Sequence, residues 1–423
     1  MNRGGPGLAA TLRSVPDREV TIAGAGVVGL TLAALLGRAG VRVALVDPAP
    51  LTRGEVTAKY DLRTFAITRA SERILQSAGA WAAIAGGRHG VFRRMEVWDA
   101  GSGGRIEFDS AGIAEPALGF IVEQQRLRSA LEAVLAGLPG VVQHREAGIT
   151  NWGGDGGKII VYLSDGKRIS TSLLVGADGA ESHVRHLTDI GYLRNDYQQH
   201  AIVCNVRTAL PHEDTARQRF LPTAPLAFLP LDQPDWSSIV WTTTPAHAAA
   251  LLAADRESFC IELAEAFERR LGAVIDCGER AAFPLFKARA DAYVRPRLAL
   301  IGDAAHSIHP LAGQGANLGM LDAATLAEVV IDALQAGRDP GALRVLRRYE
   351  RWRKGENLAM QWLMDGFKTL FGHPSPALRW GLSLGLRLTD KAEPVKALIM
   401  RQAMGQMTGL SGDLPRFAAP AEL

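Results

Sequence analysis

The chain has 423 residues, too many for one ordinary domain, and its 47% hydrophobic and 22% charged residues exclude a disordered protein. A formal net charge of +3 lies far from a nucleic-acid-binding signature. The three cysteines, Cys204, Cys260 and Cys277, show no CxxC spacing; neither a zinc ribbon nor a redox motif is visible, and scattered thiols suit a reducing cytosol.

Residues 1–17 lack a long apolar core and are expected to form a flexible tail. The most membrane-like stretch, Val20 to Leu36, is broken by glycines and leads into a second strand pattern. It is therefore read as strand, turn and helix, not as a membrane span. An apolar run from Val20 to Ala23 is followed by Gly24, Gly26 and Gly29 in GxGxxG spacing. A helix pattern then runs to Ala39, Gly40 stops it, and a second strand ends at Asp47. Gly24 allows the tight turn, Gly26 lets the backbone approach a pyrophosphate, and Gly29 lets the helix pack close to the sheet. The helix N-terminus offers free N–H groups to phosphate, and Asp47 would accept from a ribose diol. The ordered series of strand, glycines, helix, strand and acid predicts a dinucleotide site.

Farther along, residues 61–81 read as helical after Asp61-Leu62-Arg63, and 91–108 alternate like strands. Leu127, Leu131, Val134 and Leu135 recur at helical spacing. Strand-like pieces reach about Val175, residues 197–245 are β-rich with proline breaks, and Ala246–Leu271 is helical. A long helix is expected over Leu318–Ala336, ended by Gly337, and from Leu343 the pattern is almost wholly helical. No fixed-period repeat is visible.

The segment "LALIGDAAHSIHPLAGQGANLGMLDA", residues 298–323, admits three readings. His306 and His309 could pair on a metal, but Pro310 pushes the residue before it out of helical geometry and no cysteine is near. Gly313, Gly315 and Gly319 could form a second fingerprint, but the strand ends near Gly302, too far from that turn. A flavin satisfies more of the residues. Asp303 can bind a polyol hydroxyl at a strand end, and the helix beginning near Gln314 aims its positive end at an electron-rich ring.

With "GDAAHSIHPLAGQGANLGMLD" (302–322), "LLVGADGAESHVR" (173–185), "PLAFLPL" with "SSIVWT" (225–242), "YDLRTFAIT" (60–68) and "SGDLP" (411–415), the chain resembles the FAD-dependent monooxygenases of the aromatic-hydroxylase fold, specifically the ubiquinone-biosynthesis hydroxylases. The resemblance covers roughly residues 18–416. It implies an α/β (α+β) fold: a Rossmann-like FAD-binding domain (18–80, 115–185, 295–335) interleaved with a β-sheet substrate domain (85–114, 186–294), and a C-terminal helical region (336–423). Gly24, Gly26, Val27, Val28, Gly29 and Asp47 would hold the ADP half of FAD, with Asp47 standing where the family often has glutamate. Arg63 would contact the pyrophosphate and Gln124 the cofactor. Asp178 and Gly179 would support FAD and the nicotinamide donor, unless Asp178 is simply a turn residue closing a strand. Gly302, Asp303, Pro310, Gly313, Gln314, Gly315, Ala316, Asn317 and Leu318 would hold ribityl chain and ring, with His306 and His309 fixing the loop.

The implied reaction is hydroxylation of a polyprenylated phenol in ubiquinone biosynthesis, with NAD(P)H reducing FAD and a C4a-hydroperoxide delivering the oxygen. No side chain stands out as the catalytic base, and no metal is expected. The halogenases of this fold carry a Trp-x-Trp-x-Ile-Pro segment whose spacing "DWSSIVWTTTP" (235–245) lacks. A two-dinucleotide dehydrogenase would need a second compact fingerprint unit, which is not found. A non-catalytic FAD-holding accessory protein of the quinone-biosynthesis assembly and a hydroxylase of another aromatic substrate are the remaining alternatives. The resemblance further implies a cytoplasmic protein that meets the inner membrane peripherally, other quinone-biosynthesis proteins as partners, self-association, and no nucleic acid. The stretch 356–388, with Trp362, Phe367, Phe371 and Trp380 beside Lys368, Arg379 and Arg387, is the expected lipid-facing element; packing within its own domain or in a dimer interface is the other reading.

Overall fold

Strands fall into two large sheets and a small one in the computed structural model. It describes residues 17–51, 59–100, 104–154, 157–222, 224–307 and 314–371, and beyond these 396–397, 400–401, 404 and 414–419. The first sheet is built on the strand Asp17–Ala23, which lies between Val43–Asp47 and Arg168–Gly176, parallel to both. Leu298–Leu300 extends the sheet beyond Arg168–Gly176, and Val141–Arg145 extends it beyond Val43–Asp47, again in parallel. Parallel strands buried on both faces read as continuous apolar runs, and Val20, Ile22, Val43 and Leu45 are wholly buried. The helices Val27–Arg38, Gln124–Ala136 and Gln314–Gln335 cover this sheet.

The second sheet runs His306–Ser307, Ala281–Ala290, Tyr192–Thr208, Trp236–Thr243, Pro225–Pro230, Thr215–Phe220, Arg94–Asp99 and Arg105–Asp109, in that spatial order. One face packs on the helices Pro245–Ala253 and Arg256–Ala266 through Phe228, Trp241, Phe259 and Phe267. The other face looks back toward the parallel sheet. Between the two lies the small sheet of Thr64–Thr68, Gly119–Glu123 and Gly90–Phe92.

Two expectations change here. Residues 61–81 are not helical throughout: Thr64–Thr68 is a strand, and the helix starts only at Arg69, capped by the Thr68 hydroxyl accepting from Ser71 N. The β-branched Thr64, Ile67 and Thr68 gain a ladder with Gly119–Glu123 that local periodicity could not reveal. Asp17, assigned to the tail, opens the first strand. The helix Leu343–Phe371 crosses both domains, and among the described residues no helix is long and apolar enough to span a membrane.

Candidate cofactor and substrate site

The fingerprint turn is shaped by two glycines and opened by a third. Gly24 has φ +101°, and a Cβ there would sit 2.4 Å from the Ala177 carbonyl oxygen. A Cβ on Gly29 would sit 2.0 Å from the Gly24 carbonyl oxygen, so the helix packs on the turn with backbone against backbone. Gly26 is the opposite case: nothing lies within 4 Å of its Cβ position. It caps the helix Val27–Arg38 without any side-chain hydrogen bond, so the first-turn N–H groups face open space. That space is a cavity of about 920 Å³, lined here by Ala25, Gly26, Val27 and Val28. Asp47 also lines it. Its Oδ2 accepts from Ala25 N at 2.5 Å and its Oδ1 from Ala49 N at 2.8 Å, so the carboxylate stiffens the turn it borders. An uncapped helix N-terminus beside a glycine with no neighbouring side chain fits a dinucleotide pyrophosphate. Gly26→Ala is accordingly expected to weaken FAD binding about tenfold, the scale of one lost charge-assisted contact, while the unliganded melting temperature stays put. Equal affinity in a fluorescence titration of the variant with FAD would refute the assignment.

Farther along the cavity, the strand Leu298–Leu300 ends in the turn Gly302–Ala304. The Asp303 side chain is hemmed in by protein, and its exposed surface opens into the cavity. Burial raises its pKa, against the lowering pull of His306 and Arg63. Arg63 lies 5.3 Å over the Phe283 ring, and its carbonyl accepts from Gln124 N at 2.9 Å; both Arg63 and Gln124 line the cavity. Gly179, with φ +83°, and Gly315 and Ala316 at the start of Gln314–Gln335 complete this wall. Pro310, Gly313 and His309 lie outside the described residues, as does the Gln314 side chain.

Three predicted contacts are placed elsewhere. Asp178 does not line the cavity: Oδ1 accepts from Ser182 Oγ at 2.5 Å and Oδ2 from Val184 N at 3.0 Å, so its carboxylate caps the short turn after the strand. Asn317 is buried and does not itself line the cavity; it donates to Ala66 O at 2.7 Å and accepts from Thr68 N at 3.1 Å. It ties the long helix to the small sheet. Leu318 is buried in the core of the parallel-sheet domain.

The turn rests on a network that sequence reading missed. Asp322 accepts from Gly302 N at 3.0 Å, from Arg353 Nε at 2.8 Å and from Asn357 Nδ2 at 3.3 Å, and its Oδ2 lies 2.5 Å from His306 Nε2. His306, Asp322 and Arg353 are 2%, 0% and 1% exposed. Tyr293 stacks on His306 with centroids 5.7 Å apart. His306 is thus spent on holding the turn, and Arg353 joins the C-terminal helix to it. Arg353 sits in the run "RRYERWRK", which reads as a solvated face; only its spacing of four to Asn357 hinted at an ordered partner.

The rest of the cavity has a different chemistry. Its floor is the open face of the second sheet, with Ala201, Val203, Ala227, Leu229 and Val240 among the exposed-to-cavity residues. Met95, Phe108, Leu118, Met400 and Met404 wall the far side. Among the described lining residues the ionisable ones are Asp47, Arg63, Arg128 and Asp303, none of them on that floor. The arrangement joins a polar, backbone-rich nucleotide groove to an apolar chamber.

A family model described as FAD binding domain matches residues 17–359. The chain is 38% identical to ubiquinone hydroxylase UbiL of Rhodospirillum rubrum, covering 92% of this chain and 90% of that protein. It is 36% identical to 3-demethoxyubiquinol 3-hydroxylase of Escherichia coli, over 92% and 98% of the two chains. In fold it is similar to the crystal structure of p-nitrophenol 4-monooxygenase PnpA of Pseudomonas putida, with a TM-score of 0.76 and 21% identity over 92% and 99% of the chains.

Proposed function

Since the chain belongs to the FAD-binding-domain family of flavin-dependent monooxygenases, we propose that it hydroxylates the aromatic ring of a lipid-soluble ubiquinone precursor, with FAD as cofactor and NAD(P)H as reductant. One observation carries the reading: a single cavity joins the nucleotide groove to an apolar chamber, with every described ionisable group off the chamber's sheet floor. Such a chamber suits a prenylated ring and excludes water from it. The bound flavin supplies electron acceptance and oxygen activation. The chain's own part is to hold and shield. Gly26, the helix N-terminus behind it and Asp47 would bind the ADP half, Asp303 would accept from the ribityl chain, and Gly315 and Ala316 would bring the second helix N-terminus to the ring. No described side chain on the sheet floor can take a proton at neutral pH.

The test uses the FAD-loaded protein, NADPH and 2-methoxy-6-prenylphenol under isotopically labelled dioxygen. The expected product is the ring hydroxylated with one labelled oxygen. Flavin reduction without oxygen entering the ring would sink the substrate assignment, and no flavin reduction would favour a non-catalytic FAD-holding accessory protein.

A lipid-phase substrate also calls for peripheral contact with a membrane. Support comes from the helix Leu343–Phe371, where Trp362 is 74% exposed and Arg344, Arg347 and Arg351 are exposed on the same face. Of the other residues named for this role, Phe367, Lys368 and Phe371 have undescribed side chains, and Arg379, Trp380 and Arg387 lie outside the described residues. The full chain should sediment with phosphatidylglycerol vesicles, and less so as salt rises; indifference to such vesicles would remove membrane contact from the proposal.

A further inference from the structure

We infer that Gln218 is the side chain that binds the oxygen substituent of the substrate ring, and so sets how the ring lies in the chamber. The inference rests on the phenolic-substrate reading above. Gln218 is on the strand Thr215–Phe220, where inward and outward residues alternate. Strand register places it in one row across the sheet face, beside Val97 on one side and Ala227 on the other, with Val240 and Val203 continuing the row. Ala227, Val240 and Val203 line the cavity, and so does Gln218.

Gln218 is 7% exposed as a residue, its carboxamide makes no hydrogen bond with any described residue, and what surface it keeps opens into the cavity. Its neighbours in the row are all aliphatic. A carboxamide offers two donors and an acceptor with two lone pairs, and once a ring fills the chamber and displaces water, leaving it unpaired among aliphatic side chains is costly. Glutamine mid-strand brings no compensating backbone advantage. The group is therefore held unpaired for something that enters the chamber, and a ring hydroxyl or methoxyl can take up its donors and acceptor. The other polar side chains of the floor each offer only a hydroxyl, and that of Ser307, buried without a hydrogen bond, stands on the short edge strand His306–Ser307 away from the row. Ser238 already accepts from Thr64 Oγ1 at 2.9 Å, and Thr242 carries a single hydroxyl two strands away.

The test titrates FAD-loaded protein with 2-methoxy-6-prenylphenol and with its analogue lacking the hydroxyl and methoxyl oxygens, reading the perturbation of the flavin absorbance. Wild type should prefer the oxygenated probe by about tenfold, the scale of one hydrogen bond to a buried group that would otherwise stay unpaired. Gln218→Leu should erase that preference, leave the deoxy probe's affinity unchanged and leave the melting temperature of the substrate-free protein unchanged. A merely structural glutamine would lower that temperature and weaken both probes alike. Either of those results overturns the inference, as does retained preference in Gln218→Leu or loss of preference in Thr242→Val with Gln218 intact. Should wild type hold FAD yet bind both probes equally or neither, the phenolic-substrate reading itself fails, and this assignment with it.

Discussion

Asp322→Ala is expected to cost the protein about 3–5 kcal/mol of stability, the scale of breaking one partner out of a buried ion pair. The reason is what remains behind. Arg353 is 1% exposed and its Nε donates to Asp322 Oδ1 at 2.8 Å. His306 Nε2 and Gly302 N also lose their acceptor. Arg353→Met should destabilise by a similar amount, because it leaves the carboxylate buried with less countercharge. Asp322→Ala combined with Arg353→Met should cost less than the sum of the two single changes. Urea melts of the three variants check this, and an additive double variant would mean that the two groups act separately. The same pair gives an acid signature. Burial alone would push the Asp322 carboxyl up, but the facing His306 and Arg353 hold it at about 2. An unfolded aspartate titrates near 3.9, so on acidification the unfolded chain takes up its proton first. The contribution is whole above about pH 4 and is lost as pH falls to about 2. Melting temperatures measured across that window should fall more steeply in wild type than in the double variant.

Asp303→Ala should weaken FAD binding roughly ten- to a hundredfold, the value of a charge-assisted hydrogen bond lost from a buried site at about 1.5–3 kcal/mol. Unlike Asp322, the Asp303 carboxylate has no side-chain ion pair among the described residues and faces the cavity. Its removal should therefore leave the melting temperature of the flavin-free protein nearly unchanged, or raise it, since burial already disfavours the charge. Asp303→Asn, which keeps an acceptor, should fall between. Equilibrium dialysis with FAD separates the three, and a variant that melts far lower without binding FAD any worse would make Asp303 a framework residue like Asp322. His306→Ala is expected to show the reverse pattern, with stability lost first and affinity second.

Local chemistry made the nucleotide half legible. Gly24, Gly26, Gly29 and Asp47 lie within one strand–turn–helix–strand unit, and each has a physical reason that does not depend on distant chain. The motif from Gly302 to Asp322 was legible as a flavin contact for the same reason. The roles inside it were not. Asn317 and Leu318 stand beside Ala316 in sequence, but on a helix they turn toward the small sheet and the core. Asp178 looks the same just after a strand end whether it binds a ligand or caps the next turn. Thr64–Thr68 could be recognised as a strand only through its partner Gly119–Glu123. Gln218 and Arg353 gave the weakest signal of all. One is a polar residue in an alternating strand and the other a cation in a charged helix, and only the register of the sheet and the packing of the last helix bury them.

The order of the central strands also governs how this protein can be made. Asp17–Ala23 leaves the ribosome first, yet it lies between Val43–Asp47 and Arg168–Gly176, and Leu298–Leu300 must then join before the flavin turn exists. At about 5–20 residues per second, the first strand waits on the order of ten seconds or longer for its second neighbour. Its open edge is the apolar run Val20–Ala23, a template for wrong pairing while it waits. Arg353, which neutralises Asp322 beneath the flavin turn, emerges later still. FAD capture is therefore a late event in the life of each chain, and the yield of active protein will depend on how fast translation runs and on what shields that edge in the meantime.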